Sequence, residues 1–392
     1  MPWSQTSTMN QKMQFIADYL RHMLSVTELC ELYHISRKTA YKWIDRYSNN
    51  GPAGLEDQPR RPLKSPNTTP EHVVSAIIEA RQHHPSWGPK KLLKILGRRY
   101  PECSFPARST VCDILKRNGL IPKKRRHRRL GHPGKPTVEF NAPNDVWCAD
   151  YKGQFKTRDG IYCYPLTITD GCSRFLLGCQ ALCSTAVYEA KPIFTRVFKE
   201  FGLPNYILTD NGVPFATNSL GRLSHLSTWW IHLGILPLLI EPGKPQQNGR
   251  HERMHRTLKA ETTRPPAANR RTQQRKFNSF LKEFNFVRPH EALELETPAS
   301  VYTASLREMP SNLPDLEYPS HFEVRLVSAN GGIRWKNQWV NVATTCIGEY
   351  IGLKEIDNGV WHVYFGPIRI GRLLEEHMRI EDEYGRLSRR KL

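Results

Sequence analysis

The sequence predicts a multidomain chain, with all-α modules at the N-terminus, a central α/β core and a small β-barrel at the C-terminus. Three observations support that class. Residues 10–121 carry helix-period apolar patterns closed by caps and turns. From Asp145 onward, short apolar runs of strand character alternate with amphipathic stretches of helical length. After Pro310 the chain turns to short strands separated by turns.

Charge narrows the class further. The formal net charge is +20, from 57 Lys and Arg against 37 Asp and Glu in 392 residues. Such an excess favours a polyanion, because each phosphate neutralised releases a counterion, and nucleic acid is the commonest polyanion. The cations are spread through folded segments and form no single amphipathic stripe, which speaks against a membrane surface. The most apolar stretch, 229–240, is interrupted by His232, Gly234 and Pro237 and is too short to span a bilayer. Residues 1–15 hold no apolar signal core, so a cytoplasmic, nucleoid-associated protein is expected. Nine cysteines form no C-x-x-C pair and read as buried free thiols of a reducing compartment. A zinc site at His83-His84 has no suitably spaced cysteine pair to complete it.

The first element, within residues 1–57, has the layout of a helix-turn-helix. Val26, Leu29, Ile35, Ala40, Trp43 and Ile44 supply the inward set, and Ser36 caps the second helix. That helix then presents Arg37, Lys38, Tyr41, Lys42 and Arg46, a surface suited to a DNA major groove. The plainer alternative is a helical hairpin with a solvated basic face. Residues 58–70 read as a linker. A second helix-turn-helix-like unit covers 71–121, where 85–92 opens one helix and Ser109 caps another that Gly119 stops. It is either a second DNA-reading module or a structural one. Residues 122–144 form a basic linker, whose Lys123, Lys124, Arg125, Arg126, Arg128 and Arg129 would lie along phosphates.

The α/β core is expected over 145–305. Stretches 147–155, 161–169 and 175–179 read as a strand meander turning at Asp170-Gly171-Cys172. A helix over 185–201, a buried strand at 206–209, a helix over 220–233 and a strand at 235–240 follow, then helices at about 246–262 and 270–286. Beyond Pro310, a hairpin at 333–342 and strands near 349–356, 360–365 and 368–373 make up a barrel over 317–381. DNA contact and subunit contact both remain open as its role.

Three carboxylates stand out within the core. Asp150 lies in Trp147-Cys148-Ala149-Asp150-Tyr151-Lys152, and Asp210 in Leu208-Thr209-Asp210-Asn211-Gly212. Glu252 lies in Asn248-Gly249-Arg250-His251-Glu252-Arg253-Met254-His255-Arg256-Thr257-Leu258-Lys259. An acid within or just after an apolar strand is costly unless paired or metal-bound. Hard divalent cations take oxygen ligands, and phosphodiester cleavage on a pair of them needs carboxylates that face both. Gly212 lets the backbone turn closely beyond the second acid. On a helix, Glu252, Arg256 and Lys259 share a face while Met254 and Leu258 point elsewhere. Taken alone, that face is also a surface ion pair.

Taken together, these three segments resemble the motifs of the integrase-like DDE transposases of bacterial insertion sequences, over about residues 140–305. An N-terminal helix-turn-helix also fits that family. The resemblance implies an RNase H-like catalytic core in which Asp150, Asp210 and Glu252 form the catalytic, metal-binding triad. It implies two Mg²⁺ or Mn²⁺ ions, and a homodimer or higher multimer assembled on double-stranded DNA. The expected DNA is the terminal inverted repeats of the element together with a target. The expected reaction is strand cleavage followed by strand transfer from the freed 3′-hydroxyl. Lys244, Arg250, Arg253, Arg256 and Lys259 are expected to hold DNA beside the metals. The interval from Asp210 to Glu252 is longer than the family's usual one, and the excess is placed in 216–228. The nearest competing acid, Glu241, ends a strand before Pro242 and lacks the helix placement. Two other functions stay open: a DNA-binding regulator with a non-catalytic core, and a structure-specific nuclease that cuts without joining.

Overall fold

The computed structural model describes residues 7–57, 68–121, 139–241 and 245–387, without the side chains of 245 and 246. The cations of the 122–144 linker from Lys123 to Arg129, and Lys244, lie outside the described residues. The chain divides into two compact units, Met1–Thr69 and Pro70–Leu392.

The first unit contains α1 (Thr8–Leu20), α2 (Val26–Leu32) and α3 (Arg37–Asn50). Ser25 closes a capping box: its hydroxyl accepts from the Glu28 amide, and the Glu28 carboxylate accepts from the Ser25 amide at 2.7 Å. Ser36 caps α3 by accepting from the Thr39 amide at 3.2 Å. Leu29, Ala40 and Trp43 are buried with Phe15, Ile16 and Leu55, and Val26, Ile35 and Ile44 pack at the margin. The inward set read from the sequence is therefore the one that packs.

The second unit opens with α4 (Glu71–His83), α5 (Pro89–Arg99) and α6 (Arg108–Arg117), packed around Ile77, Trp87, Leu92 and Val111. Helix α6 starts earlier than expected. Ala107 is its N-cap, without a side-chain bond, so Ser109 lies inside the helix and caps nothing. Gly119, at φ 68°, is the stop that the sequence indicated. Lys94 and Arg98 both reach Glu296, at 2.8 and 2.6 Å, and His84 reaches Glu283 at 3.0 Å, tying these helices to the core.

The core contains β1 (Val146–Tyr151), β2 (Phe155–Lys156), β3 (Tyr162–Asp170), β4 (Leu176–Leu182), α7 (Val187–Phe201), β5 (Tyr206–Thr209), α8 (His225–His232), β6 (Leu236–Leu239), α9 (Gly249–Thr262) and α10 (Arg270–Lys282). Strand β3 is antiparallel to both β4 and β1, β5 runs parallel to β1, and β6 runs parallel to β5. This places β1 centrally. Side chains alternate across the sheet. Trp147, Ala149 and Ile207 meet Phe194, Phe198 and Trp230 of α7 and α8 on one face. Cys163 and Cys179 meet Met254, Leu258 and Phe277 of α9 and α10 on the other. The result is the three-layer α/β core expected. One helix differs: the stretch from 220 begins as a single 3₁₀ turn, broken by Gly221 at φ 63°, and α8 starts only at His225.

The C-terminal strands are β7 (Glu323–Leu326), β8 (Gly332–Trp335), β9 (Gln338–Asn341), β10 (Tyr350–Asp357), β11 (Val360–Phe365), β12 (Ile368–Leu374) and β13 (Arg379–Glu381). Five pair in the open order β13-β12-β11-β10-β7, and the β8–β9 hairpin lies against both ends of that row, next to β7 and β13. The strands thus curl around one core of Val340, Ile351, Val363 and Phe365, with the circle completed by packing at the hairpin. The long interval after Asp210 has a structural use. Leu220, Leu223 and Ile231 are buried in this β core, and a Cβ on Gly221 would lie 2.7 Å from Ile370 Cγ2.

All nine cysteines are free, and Cys30, Cys148, Cys163, Cys179 and Cys346 are buried, whereas Cys183 is exposed. His84 stacks on Trp87 with centroids 3.8 Å apart and holds no metal-ligand set among the described residues. No helix among the described residues is long and apolar enough to cross a membrane.

Candidate active site

Sheet register brings the first two acids together. Ala149 of β1 pairs with Thr209 of the parallel strand β5, so Asp150 and Asp210 stand side by side one residue further on. Alternation puts both on the face that carries Cys148 and Leu208. That is the face covered by α9. Beyond Asp210, the Gly212 amide donates to Asp210 Oδ1 at 3.1 Å, and a Cβ on Gly212 would lie 3.2 Å from Asp210 Oδ2. Glycine keeps that carboxylate uncovered.

Asp150 carries a clear electrostatic signature. Burial, then the charge of Asp210, push its carboxyl up to about 7; the backbone bond to Tyr151 and Lys152 pull the other way, and Glu252 pushes up again. Two further acids thus act on one buried acid, an arrangement that calls for a proton or a cation. Glu252 itself is exposed on α9 and has no hydrogen-bond partner among the described residues. The structure therefore sets it near Asp150 but outside the packed interior.

Helix α9 contributes two residues that the sequence reading passed over. His251 and His255 are buried against β3, with rings 4.5 Å apart. Thr167, opposite Asp150 in the β1–β3 ladder, bonds both, at 2.7 Å to His251 Nε2 and 2.6 Å to His255 Nε2. His255 Nδ1 lies 3.6 Å from Asp150 Oδ2. A signal existed: the histidines are four residues apart and share the inward helix face with Met254 and Leu258.

The expected DNA-contacting cations fall into three groups. Arg256 and Lys259 are exposed beside Glu252 on α9, and Lys259 lies close enough to Lys152 to help burial lower that ammonium's pKa. Arg250 and Arg253 line a cavity of about 320 Å³ on the other flank of α9, with Lys91, Arg174 and Arg288. Arg250 donates to the Gly171 carbonyl at 3.2 Å and lies 4.4 Å over the Phe140 ring. Burial and Arg288 push Lys91 down to about 8. In the first unit Arg37, Lys38, Tyr41 and Lys42 are exposed on α3, while Arg46 is half-buried 5.1 Å over the Trp43 ring. Arg37 also donates to Thr27 at 2.9 Å, so its guanidinium is partly engaged within the motif.

Known families match the stretches that hold these residues. An integrase core domain model matches residues 141–245 and a second integrase core domain model matches 233–298. The first stretch holds Asp150 and Asp210, and the second holds Glu252 and both histidines. A helix-turn-helix domain model matches 11–62 and a homeodomain-like model 39–115. A protein of insertion element IS476 from Xanthomonas euvesicatoria is 23% identical over 264 residues, 66% of this chain and 72% of that protein. Residues 141–298 of the chain therefore match integrase core domains, and the wider chain is similar to an insertion-element protein. The Gag-Pol polyprotein of baboon endogenous virus is 31% identical over 198 residues, 50% of this chain. The chain spans only 11% of that polyprotein's length. The HTLV-2 integrase catalytic core domain in complex with magnesium aligns at a TM-score of 0.34 and 16% identity, over 41% of this chain and 98% of that one.

Proposed function

We propose that this chain is a DNA transposase that binds the terminal inverted repeats of an insertion sequence and performs metal-dependent strand cleavage and strand transfer. One observation carries the reading. Asp150 and Asp210 stand side by side on one sheet face beneath α9, inside the stretch matched by the integrase core. The likeness to an insertion-element protein supports a transposon end as substrate over a viral one.

In this reading Asp150, Asp210 and Glu252 are the catalytic triad and hold two divalent cations, Mg²⁺ or Mn²⁺. The residues present fit such ions, since a buried carboxyl pressed by two other acids is relieved by a cation. When bound, the ions supply Lewis-acid activation of the attacking and leaving oxygens of the phosphodiester. Lys152, Arg256 and Lys259 surround the acids with positive charge and orient the scissile phosphate by its non-bridging oxygens. Arg250 and Arg253 hold flanking DNA on the opposite flank of α9. Helix α3 reads the repeat through Arg37, Lys38, Tyr41, Lys42 and Arg46. The 122–144 linker cations and Lys244 add phosphate contacts, and the working assembly on DNA is a homodimer or higher multimer.

The test uses the full chain, Mg²⁺, a labelled duplex bearing the repeats that flank its gene, and a target plasmid. Joined product is expected from the wild type, and retarded but uncut duplex from Asp150→Asn. Wild-type protein that retards the duplex and never nicks it would be a regulator. Protein that nicks and never joins would be a nuclease. Either result overturns the proposal.

A further inference from the structure

Hydrogen-bond accounting around Thr167 fixes the tautomers of two buried histidines. The Thr167 hydroxyl lies 3.0 Å from the Asp150 backbone carbonyl, which can only accept, so the one hydroxyl proton is used there. The imidazole Nε2 atoms at 2.7 and 2.6 Å from the same oxygen must then both be N–H donors. His251 Nδ1 accepts from the Thr169 hydroxyl at 3.0 Å, so both of its nitrogens are engaged. His255 differs. With its proton on Nε2, its Nδ1 offers a lone pair, and that lone pair faces Asp150 Oδ2 across 3.6 Å. Burial disfavours a second proton on either ring, and His251 and Lys152 disfavour it further at His255.

Two lone pairs facing each other across a buried gap need something positive between them. We infer that His255 Nδ1 is a further ligand of the divalent cation held by Asp150, making this site one of mixed carboxylate and imidazole donors. The inference rests on the metal-binding reading above. The separation suits it: two donors each about 2.0–2.2 Å from one ion at a wide angle stand that far apart. The outer bond suits it too, since a metal-ligating histidine nearly always donates its other ring N–H to a fixed oxygen, here Thr167 Oγ1. His251 lies within 4.8 Å of the same atoms but has no free lone pair to give. The consequence is selectivity. An imidazole donor strengthens binding of Mn²⁺, Co²⁺ and Zn²⁺ relative to Mg²⁺.

The test is pulsed electron paramagnetic resonance of the full chain loaded with Mn²⁺, without DNA. The variant is His255→Gln, whose side-chain amide can still donate to Thr167 while removing Nδ1. Nitrogen-14 modulation from a directly bound imidazole is expected in wild type and in His251→Gln, and its loss in His255→Gln. Competition titrations should show the preference for Mn²⁺ over Mg²⁺ falling by about tenfold in His255→Gln. Should that variant not fold, His255→Asn and the wild-type spectrum with nitrogen-15 histidine decide. Bound Mn²⁺ without imidazole nitrogen coupling, or coupling that survives in His255→Gln, overturns the inference and leaves the carboxylate site standing. No bound Mn²⁺ overturns both.

Discussion

Replacing Asp150 with Asn should stabilise the metal-free protein at neutral and alkaline pH. The carboxyl is pushed from 3.8 to about 7 by burial and then by Asp210, and its side chain is only 18% exposed. Its folded pKa therefore lies above its unfolded one. Between those values the folded state holds a proton that the unfolded state has lost, so the free energy of unfolding falls as pH rises. At about 1.4 kcal/mol per unit, a rise of some three units sets an upper bound of ~4 kcal/mol, reached above pH 7. Asn keeps the shape, has no charge to develop, and can donate its amide toward the His255 lone pair. Urea unfolding in a chelator at pH 5.5 and pH 8 is the assay. The advantage of Asp150→Asn over wild type should grow by about 2 kcal/mol between those two values. Adding Mn²⁺ at pH 8 should then raise the wild-type midpoint and leave the variant unchanged. A variant whose advantage does not change with pH, or that gains as much from Mn²⁺ as wild type, would refute the electrostatic argument.

Metal affinity of the wild type should fall about tenfold per pH unit below pH 7, because a proton competes for Asp150; calorimetric titration with Mn²⁺ checks this, and a flat profile contradicts it. Gly212→Ala should weaken metal binding by about tenfold, since its Cβ would lie 3.2 Å from Asp210 Oδ2; unchanged affinity would remove Gly212 from the site. Lys42→Ala should lower DNA affinity and reduce the slope of log K against log salt by about one if the side chain meets a phosphate. Trp87→Ala should cost about 3–5 kcal/mol in the α4–α6 core, where Trp87 is 1% exposed beneath His84; proteolysis should then begin in that segment, and undiminished resistance would count against its packing role.

The sequence made the periodic parts legible. Helix caps at Ser25 and Ser36, the apolar strand before Asp210 and the stop at Gly119 act over a few residues, and each appears where the pattern put it. Strands β7 and β13 were missed because they are only four and three residues long, too short for their alternation to stand out. Ser109 looked like a cap, yet α6 begins before it because Val111 and Leu115 are held in the α4–α6 core whatever caps the end. The long interval after Asp210 could be counted but not explained, since its purpose is a contact with Ile370 far along the chain. The three acids could be proposed from their local motifs. The histidines were not, because their meaning depends on Thr167, and only the β1–β3 register brings that residue to Asp150.

The proposed chemistry requires Asp150, Asp210 and Glu252 to share divalent metal. Crystals soaked in Mn²⁺ and measured at the manganese absorption edge test it most directly. Anomalous peaks are expected between Asp150 and Asp210, with Glu252 turned inward from α9 to complete the shell. Peaks bound elsewhere, or a metal at Asp150 that neither Asp210 nor Glu252 reaches, would contradict it.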